Sequence, residues 1–488
     1  MLSLTFLGHQ GWLVSTPGTN LLIDPLLGAG FGHGGLLGQV YPPRVFDFEA
    51  FPPIDALVLT HEHDDHFDIP SLARIDRRVP IYLAGRSSIA AQELLEHMDF
   101  ALTALEPERA FDVGGLHVHP MTSDHRDGRQ ADEWDATPLF IHARDDRAGF
   151  LTSVDVRFRE RELAQLAKLG LAPGLWAHAN NCSHAGFQTL HTSPPASASV
   201  TLGDDSNAVA KQILARHDAL TKAWSAPELS LISGAGWTLH AERSRLNHHL
   251  FPADHPAVVA ALGVLRPQLR VTTPRPGQTP SLDDAGRLAS TLPAQPFLST
   301  APVELWPGRD YRGPGQTLRD YGPACGATRL APVERETLLE ELVDFARYLY
   351  GGPVFAAIHS LPPRLHSGHV SSFCLLLRDE EVTFALAYDP SRCAFVPSPE
   401  LDPIARFASG IECWSTDLHA LLTGALAPSA LCYAGRMRVW NHAPSALRVS
   451  PALLWHFCNP LRRPRQARRL YQRLLERERE TPVLVRAS

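Results

Sequence analysis

The sequence predicts an α/β chain of two folded units, and three observations carry that prediction. Its 488 residues exceed what one hydrophobic core normally organises. Short apolar, strand-like runs alternate with helical stretches over the first 265 residues, and a second set of helices and strands begins near residue 334. Between them, periodicity weakens and proline and glycine accumulate, as in Thr273-Pro274-Arg275-Pro276-Gly277 and Arg312-Gly313-Pro314-Gly315. We therefore expect a first unit over 1–265, a connector over 266–333, and a smaller α+β unit over 334–488.

The elements follow in order. The start, from Met1 to Val14, alternates Leu2, Leu4 and Phe6 and lacks a basic run, so it reads as a strand and not as a signal peptide. The run from Ile54 to Leu59 is apolar throughout and reads as a buried strand that ends where histidines begin. Strand-like runs recur at Leu116 to Met121 and Phe150 to Val154, and helical patterns at Ser87 to His97, Arg159 to Leu169, Ser206 to Trp224 and Pro256 to Leu265. In the second unit an amphipathic helix, Glu334 to Tyr350, precedes strands at Ser371 to Leu377, Val382 to Tyr388 and Ala394 to Val396. A helix from Ser415 to Leu422 then stops near Gly424, where glycine suits a C-terminal cap.

Composition narrows the function classes. With 44% hydrophobic and 20% charged residues the chain can bury sizeable cores. No segment approaches the roughly 18 to 20 uninterrupted apolar residues of a membrane helix. Seven cysteines without a CxxC pair fit reduced thiols, so we expect a cytoplasmic protein. A net charge of -7 argues against a nucleic-acid partner, although Arg462 to Arg479 is locally basic and reads as a solvated terminal helix.

The most informative run is Thr60-His61-Glu62-His63-Asp64-Asp65-His66. Histidines at i and i+2 leaving a strand can aim both rings at one ion, and the Asp-His pair on the following turn can face a second. Imidazole and carboxylate together suit zinc or iron, and the lack of thiolates argues against a closed structural zinc site.

That HxHxDH spacing resembles the signature of the metallo-β-lactamase superfamily. The resemblance covers about the first 280 residues and is similar in detail to the branch of N-acyl phosphatidylethanolamine phospholipase D and ascorbate 6-phosphate lactonase. Gly8-His9-Gln10, Leu22-Ile23-Asp24-Pro25 and Pro53-Ile54-Asp55 match that branch. The resemblance implies a four-layer αββα sandwich. It also implies that His61, His63 and His125 hold a first ion, that Asp65 and His66 hold a second, and that Asp155 bridges them. Glu133 is the reserve for His125. Asp155 and Asp65 are the carboxylates expected in catalysis, while His9 and Asp24 orient ligands from behind. On the substrate side stand Asn181, His184 and His248.

One departure matters: relatives end the second site with a histidine in the strand after the last helix, and Leu269 to Gly277 contains none. Either the site holds one ion, or His240, His248, His249 or His255 substitutes, or the second ion keeps an open position. The cofactor expectation is one or two divalent ions, zinc first, with iron or manganese as alternatives.

In the second unit, Cys413-Trp414-Ser415-Thr416-Asp417-Leu418 and Gly435-Arg436-Met437-Arg438-Val439 resemble the closing part of sterol carrier protein 2-like domains, which alkylsulfatases join to this fold. The expected function is a metal-dependent hydrolase acting on a phosphoester, lactone, amide or sulfate ester of a small-molecule or lipid-like substrate. The alternative is a diiron oxygenase on the same fold, and a binding protein with a decayed site stands third. A homodimer is left open.

Overall fold

The computed structural model describes residues 1–488 except 124–135, 157, 181–189, 192–204, 223, 225, 240–242, 245–246, 252, 290–293, 303, 305–326, 366, 381, 434–435, 443–448, 450 and 451. The first sheet is built from β1 (Leu2–Gly8), β2 (Gly11–Thr16), β3 (Thr19–Ile23), β4 (Ala56–Leu59), β5 (Ile81–Ala84) and β6 (Leu102–Leu105), paired in that order. It opens as an antiparallel meander and turns parallel from β3 onward. The central strand β4 is buried at every position, as expected of a parallel strand covered on both faces.

Helix α1 (Ile69–Ala73) starts at Asp68, whose carboxylate accepts from the Ser71 amide, and α2 (Ile89–His97) starts at Ser88 in the same way. The second sheet runs β7 (Phe111–Val113), β8 (Leu116–Pro120), β9 (Leu139–Ala143), β10 (Ala148–Thr152), β11 (Ala172–Ala179), β12 (Leu229–Ser233) and β13 (Val271–Thr272). Helices α3 (Glu160–Lys168), α4 (Asp205–Leu220) and α5 (His255–Leu265) accompany it. Strand β14 (Ser281–Leu282) closes the first sheet against β1.

Alternation along the strands divides the layers. Leu4, Trp12, Val58, Val118, Ile141, Phe150 and Leu175 meet in the core between the two sheets. On the far side of the first sheet, Leu57 and Leu59 pack against α1 and α2. Beyond the second sheet, Phe140 and Trp176 pack on Leu163 and Leu166 of α3, and Ile232 packs on Val209 of α4 and Val258 of α5. This is the four-layer arrangement that the resemblance implies.

The stretch expected as a connector contributes β13 and β14 to the two sheets, and Leu298–Thr300 pairs with Arg44–Phe46. The second unit begins with α6 (Pro332–Tyr350). Its sheet contains β15 (Val370–Arg378), β16 (Thr383–Asp389), β17 (Ala394–Pro397), β18 (Phe407–Trp414) and β19 (Met437–Asn441), with Leu190–His191 of the first unit at the edge beside β19. Leu338, Leu342 and Phe345 of α6 pack there with Ile411, Leu421 and Phe457.

The last helix departs from expectation. Helix α7 (Pro464–Arg477) is not solvated all round: Ala467, Leu470, Tyr471 and Leu474 fall on one face and join the core over α1 and α2. Its arginines take the other face, where Arg468 pairs with Glu93 of α2. The chain then bridges Val485 to Ile75 and Ala487 to Ile54, so its end belongs to the first unit.

Candidate metal centre

The site forms where strands of both sheets end at one edge of the sandwich. Strand β4 delivers His61 and His63, β3 delivers Asp24, the β1–β2 turn delivers His9 and Gln10, and β10 leads to Asp155. The corners are tight: His9, Asp24 and Val154 hold φ of 53°, 41° and 52°. Non-glycine residues seldom adopt such angles, and they persist where surrounding structure fixes them.

Donor atoms of His61, His63 and Asp155 lie within 4.8 Å of one another, as do those of His9, Asp65 and His66, and those of Asp24, His61 and His66. Asp155 Oδ2 lies 3.5 Å from His61 Nε2 and 3.0 Å from His66 Nε2. Asp65 Oδ2 lies 3.7 Å from His66 Nε2. The imidazoles of His61, His63 and His66 and the carboxylates of Asp65 and Asp155 therefore share one small volume, with His9 and Asp24 beside them.

A hydrogen-bond chain behind these groups fixes which ring nitrogens face forward. The buried carboxylate of Asp24 accepts from the Thr60 amide at 2.8 Å and the Thr60 hydroxyl at 2.5 Å. With that hydroxyl proton committed, Thr60 Oγ1 accepts from His61 Nδ1–H at 3.1 Å. Asp24 Oδ2 also accepts from His66 Nδ1–H at 2.8 Å. Both Nε2 lone pairs are thus directed into the site, which is the way metal-binding imidazoles are oriented. Both Nε2 atoms are buried and face Asp155 Oδ2, an arrangement of donors that a cation between them would satisfy.

His9 is held differently. Its Nδ1 accepts from the Gly236 amide at 3.1 Å, so Nε2–H donates to Asp65 Oδ2 at 2.9 Å. The approach is possible because residue 236 is glycine: a Cβ there would stand 2.5 Å from His9 Cα. Gln10 donates to Asp155 Oδ1 at 3.0 Å while its own oxygen accepts from Ser233.

Electrostatics agree with the donor set. Burial disfavours a charged His66, yet Asp65, Asp155 and Asp24 around it push the imidazole well above its ordinary value. Burial likewise opposes ionisation of Asp155, yet the His66 and His61 rings hold it well below the usual carboxylate range. The carboxylates outweigh the desolvation cost, and the site is prepared for positive charge. Asp155 and Asp65 are 18% and 20% exposed, whereas His66 is fully buried, so the centre opens to solvent at its carboxylates.

Several contributors were not assigned from sequence. Gln10 and Thr60 act through tertiary hydrogen bonds, and only their adjacency to His9 and His61 could have signalled them. Glu62, inside the histidine run, turns away from the site: it accepts from Ser88 N and Oγ at 2.6 Å each and from Tyr471 of α7 at 2.5 Å. Asp64 accepts from Ser429, and Trp455 stands edge-on to His63 with ring centres 5.8 Å apart. A largely apolar pocket beside His63 is consequently walled by both units, with Leu426, Pro428, Trp455, Leu470 and Tyr471 from the second half of the chain.

His125, Glu133, Asn181 and His184 lie outside the described residues, as does His240, and the side chains of His248 and His249 are likewise not described. His255, one substitute for the missing last histidine, instead meets Thr273 Oγ1 through Nδ1 at 3.2 Å.

Residues 19–202 match the family model of a beta-lactamase superfamily domain. A 76-residue stretch is 30% identical to the uncharacterized protein Rv0906 of Mycobacterium tuberculosis and to the uncharacterized protein Mb0930 of Mycobacterium bovis. It covers 15% of this chain and only 20% of each of those proteins. Among solved structures the chain is similar to the isothiocyanate hydrolase from Delia radicum gut bacteria, at 18% identity and TM-score 0.40 over 58% of this chain and 99% of that one. It is also similar to a metallo hydrolase of the hyperthermophilic archaeon Ignicoccus hospitalis, at 16% identity and TM-score 0.36 over 57% and 97%. A diiron beta-hydroxylase from Streptomyces venezuelae aligns at 15% identity and TM-score 0.35 over 56% and 53%.

Proposed function

We propose, proceeding from the metallo-β-lactamase fold of the first unit, that this chain is a metal-dependent hydrolase of an ester-type bond: phosphoester, lactone, amide or sulfate ester. The observation that carries the reading is the convergence of His61, His63 and Asp155 beside His66 and Asp65, with both described Nε2 lone pairs of His61 and His66 oriented inward from Asp24. His61 and His63 would hold a first divalent ion with His125, Asp65 and His66 a second, and Asp155 would lie between them. Such ions supply a water of lowered pKa and an electrophilic face for developing oxyanion charge.

The chain's own residues do the rest. Gln10 fixes the Asp155 plane through Oδ1, leaving Oδ2 to the imidazoles. Asp65, steadied by His9, is a solvent-reaching carboxylate able to take the proton of an attacking water at Oδ1. The pocket beside His63 takes the apolar portion of the substrate. An apolar wall supplied by the second unit is in keeping with the sterol carrier-like reading of that unit, the arrangement found in alkylsulfatases.

The test is a hydrolysis panel of aryl phosphates, sulfates, lactones and N-acyl amides of graded chain length, run on protein of known metal content. Turnover that vanishes in His61→Ala together with bound metal, and a KM that rises at least several-fold for long-chain substrates in Trp455→Ala, are expected. Activity that survives both chelation and His61→Ala would sink the proposal.

The iron-dependent oxygenase is the second reading, favoured by one observation: after α5, the short strand β13 and Thr273 supply no histidine, and His255 turns to Thr273. A coordination position left open suits oxygen chemistry as well as hydrolysis. Two equivalents of iron with a visible absorption band, and no hydrolysis of the panel, select it.

A further inference from the structure

A second cluster of imidazoles stands on the outer face of the second sheet, away from the centre just described. His117 and His119 alternate with the inward-facing Leu116 and Val118 on β8, so both point outward. The sequence alone places these two together. The third member comes from β9, where His142 is the direct cross-strand partner of His117. Ligand atoms of all three lie within 4.8 Å of one another.

Two of the rings are anchored from behind. His117 Nδ1 donates to Asp112 Oδ1 at 2.5 Å, and the other oxygen of Asp112 pairs with Arg144 at 2.8 Å. His142 Nδ1 donates to the Ala143 carbonyl at 2.7 Å. In their neutral forms both rings therefore carry the lone pair on Nε2. His142 Nε2 lies 3.2 Å from His119 Nε2, close to the roughly 3.3 Å that separates two nitrogens on a tetrahedral zinc with bonds of about 2.05 Å. Anchored imidazoles with converging lone pairs are the pattern of a metal site whose outer contacts are already in place. His142 forms the buried side and His117, 32% exposed, the open side.

We propose that His117, His119 and His142 form a second, surface site for one divalent transition-metal ion of the zinc or copper class, with solvent in the remaining position. The ion would tie β8 to β9, the strand pair that leads into Met121 and Thr122 at the edge of the sandwich. The competing account is an ordinary ring-to-ring hydrogen bond, in which His119 Nε2–H donates to His142 Nε2.

The full-length protein, equilibrated with zinc and desalted, is compared with His119→Ala and with the milder His142→Gln by elemental analysis and thermal unfolding. The wild type should retain one more equivalent of zinc than either variant, with turnover on any substrate unchanged. Copper-loaded wild type should show nitrogen couplings from three imidazoles that fall in number in each variant. Equal zinc content in all three proteins, with melting profiles showing them folded, overturns the site in favour of the hydrogen bond. Because the measured quantity is a difference between proteins that share His61, His63 and Asp155, its failure leaves the hydrolase proposal standing, and the reverse also holds.

Discussion

At the scale of single residues, the decisive feature is how few protons are left undetermined. Asp24 accepts from the Thr60 amide, the Thr60 hydroxyl and His66 Nδ1–H, and through Thr60 it also fixes His61. Removing that carboxylate while keeping its shape, Asp24→Asn, leaves the site donors in place but loosens their orientation. Metal affinity should fall about 10- to 100-fold, measured by competition with a chelating indicator; unchanged affinity would refute the relay. Gly236→Ala tests the other side of the pocket, because a methyl group there must displace His9. Asp65 then loses its partner, and turnover should drop while the first ion, which we propose His61 and His63 hold, is retained. The histidine run itself was legible in the sequence because its donors are consecutive. Gln10 and Thr60 were not, because their roles exist only across strands.

At the scale of elements, the terminal helix α7 does what its local charge did not advertise. Its basic residues led to the expectation of a solvated helix, whereas Ala467, Leu470, Tyr471 and Leu474 form an apolar stripe, and a stripe specifies a face and not the surface that receives it. Here the receiver is the outside of α1 and α2, and Tyr471 reaches from it to Glu62 within the histidine run. Leu474, 3% exposed in that contact, is the position to probe. Leu474→Ala should cost about 2–4 kcal/mol of stability, read as a lower denaturant midpoint for the first unit. A stability loss below about 0.5 kcal/mol would mean that the helix is not part of this core.

At the scale of the whole molecule, buried neutral imidazoles make stability depend on acidity. His178 of β11 is buried against Trp176 and His217, and desolvation, reinforced by His217 and Arg216, holds its pKa well below 6.5. The sign follows: below about pH 6.5 the unfolded chain takes up a proton on this ring and the folded chain does not. Stability should therefore be unaffected above that pH and fall below it, by up to about 1.4 kcal/mol per unit for this one group. His178→Phe should flatten the acid limb of a melting-temperature profile between pH 6.5 and 5; parallel limbs would contradict the assignment. Periodicity and contiguous spacing, which are local properties of the sequence by itself, determined the strand that ends in the histidine run and the grouping of that run, and the resemblance carried by the run implied the αββα class. Only the tertiary structure decided that Glu62 faces the C-terminal helix, that Gln10 holds Asp155, that the second half of the chain walls the pocket, and that His142 completes a trio with His117 and His119. Those relations arise from strand register and from burying faces against distant partners, and no local pattern encodes which partner is met.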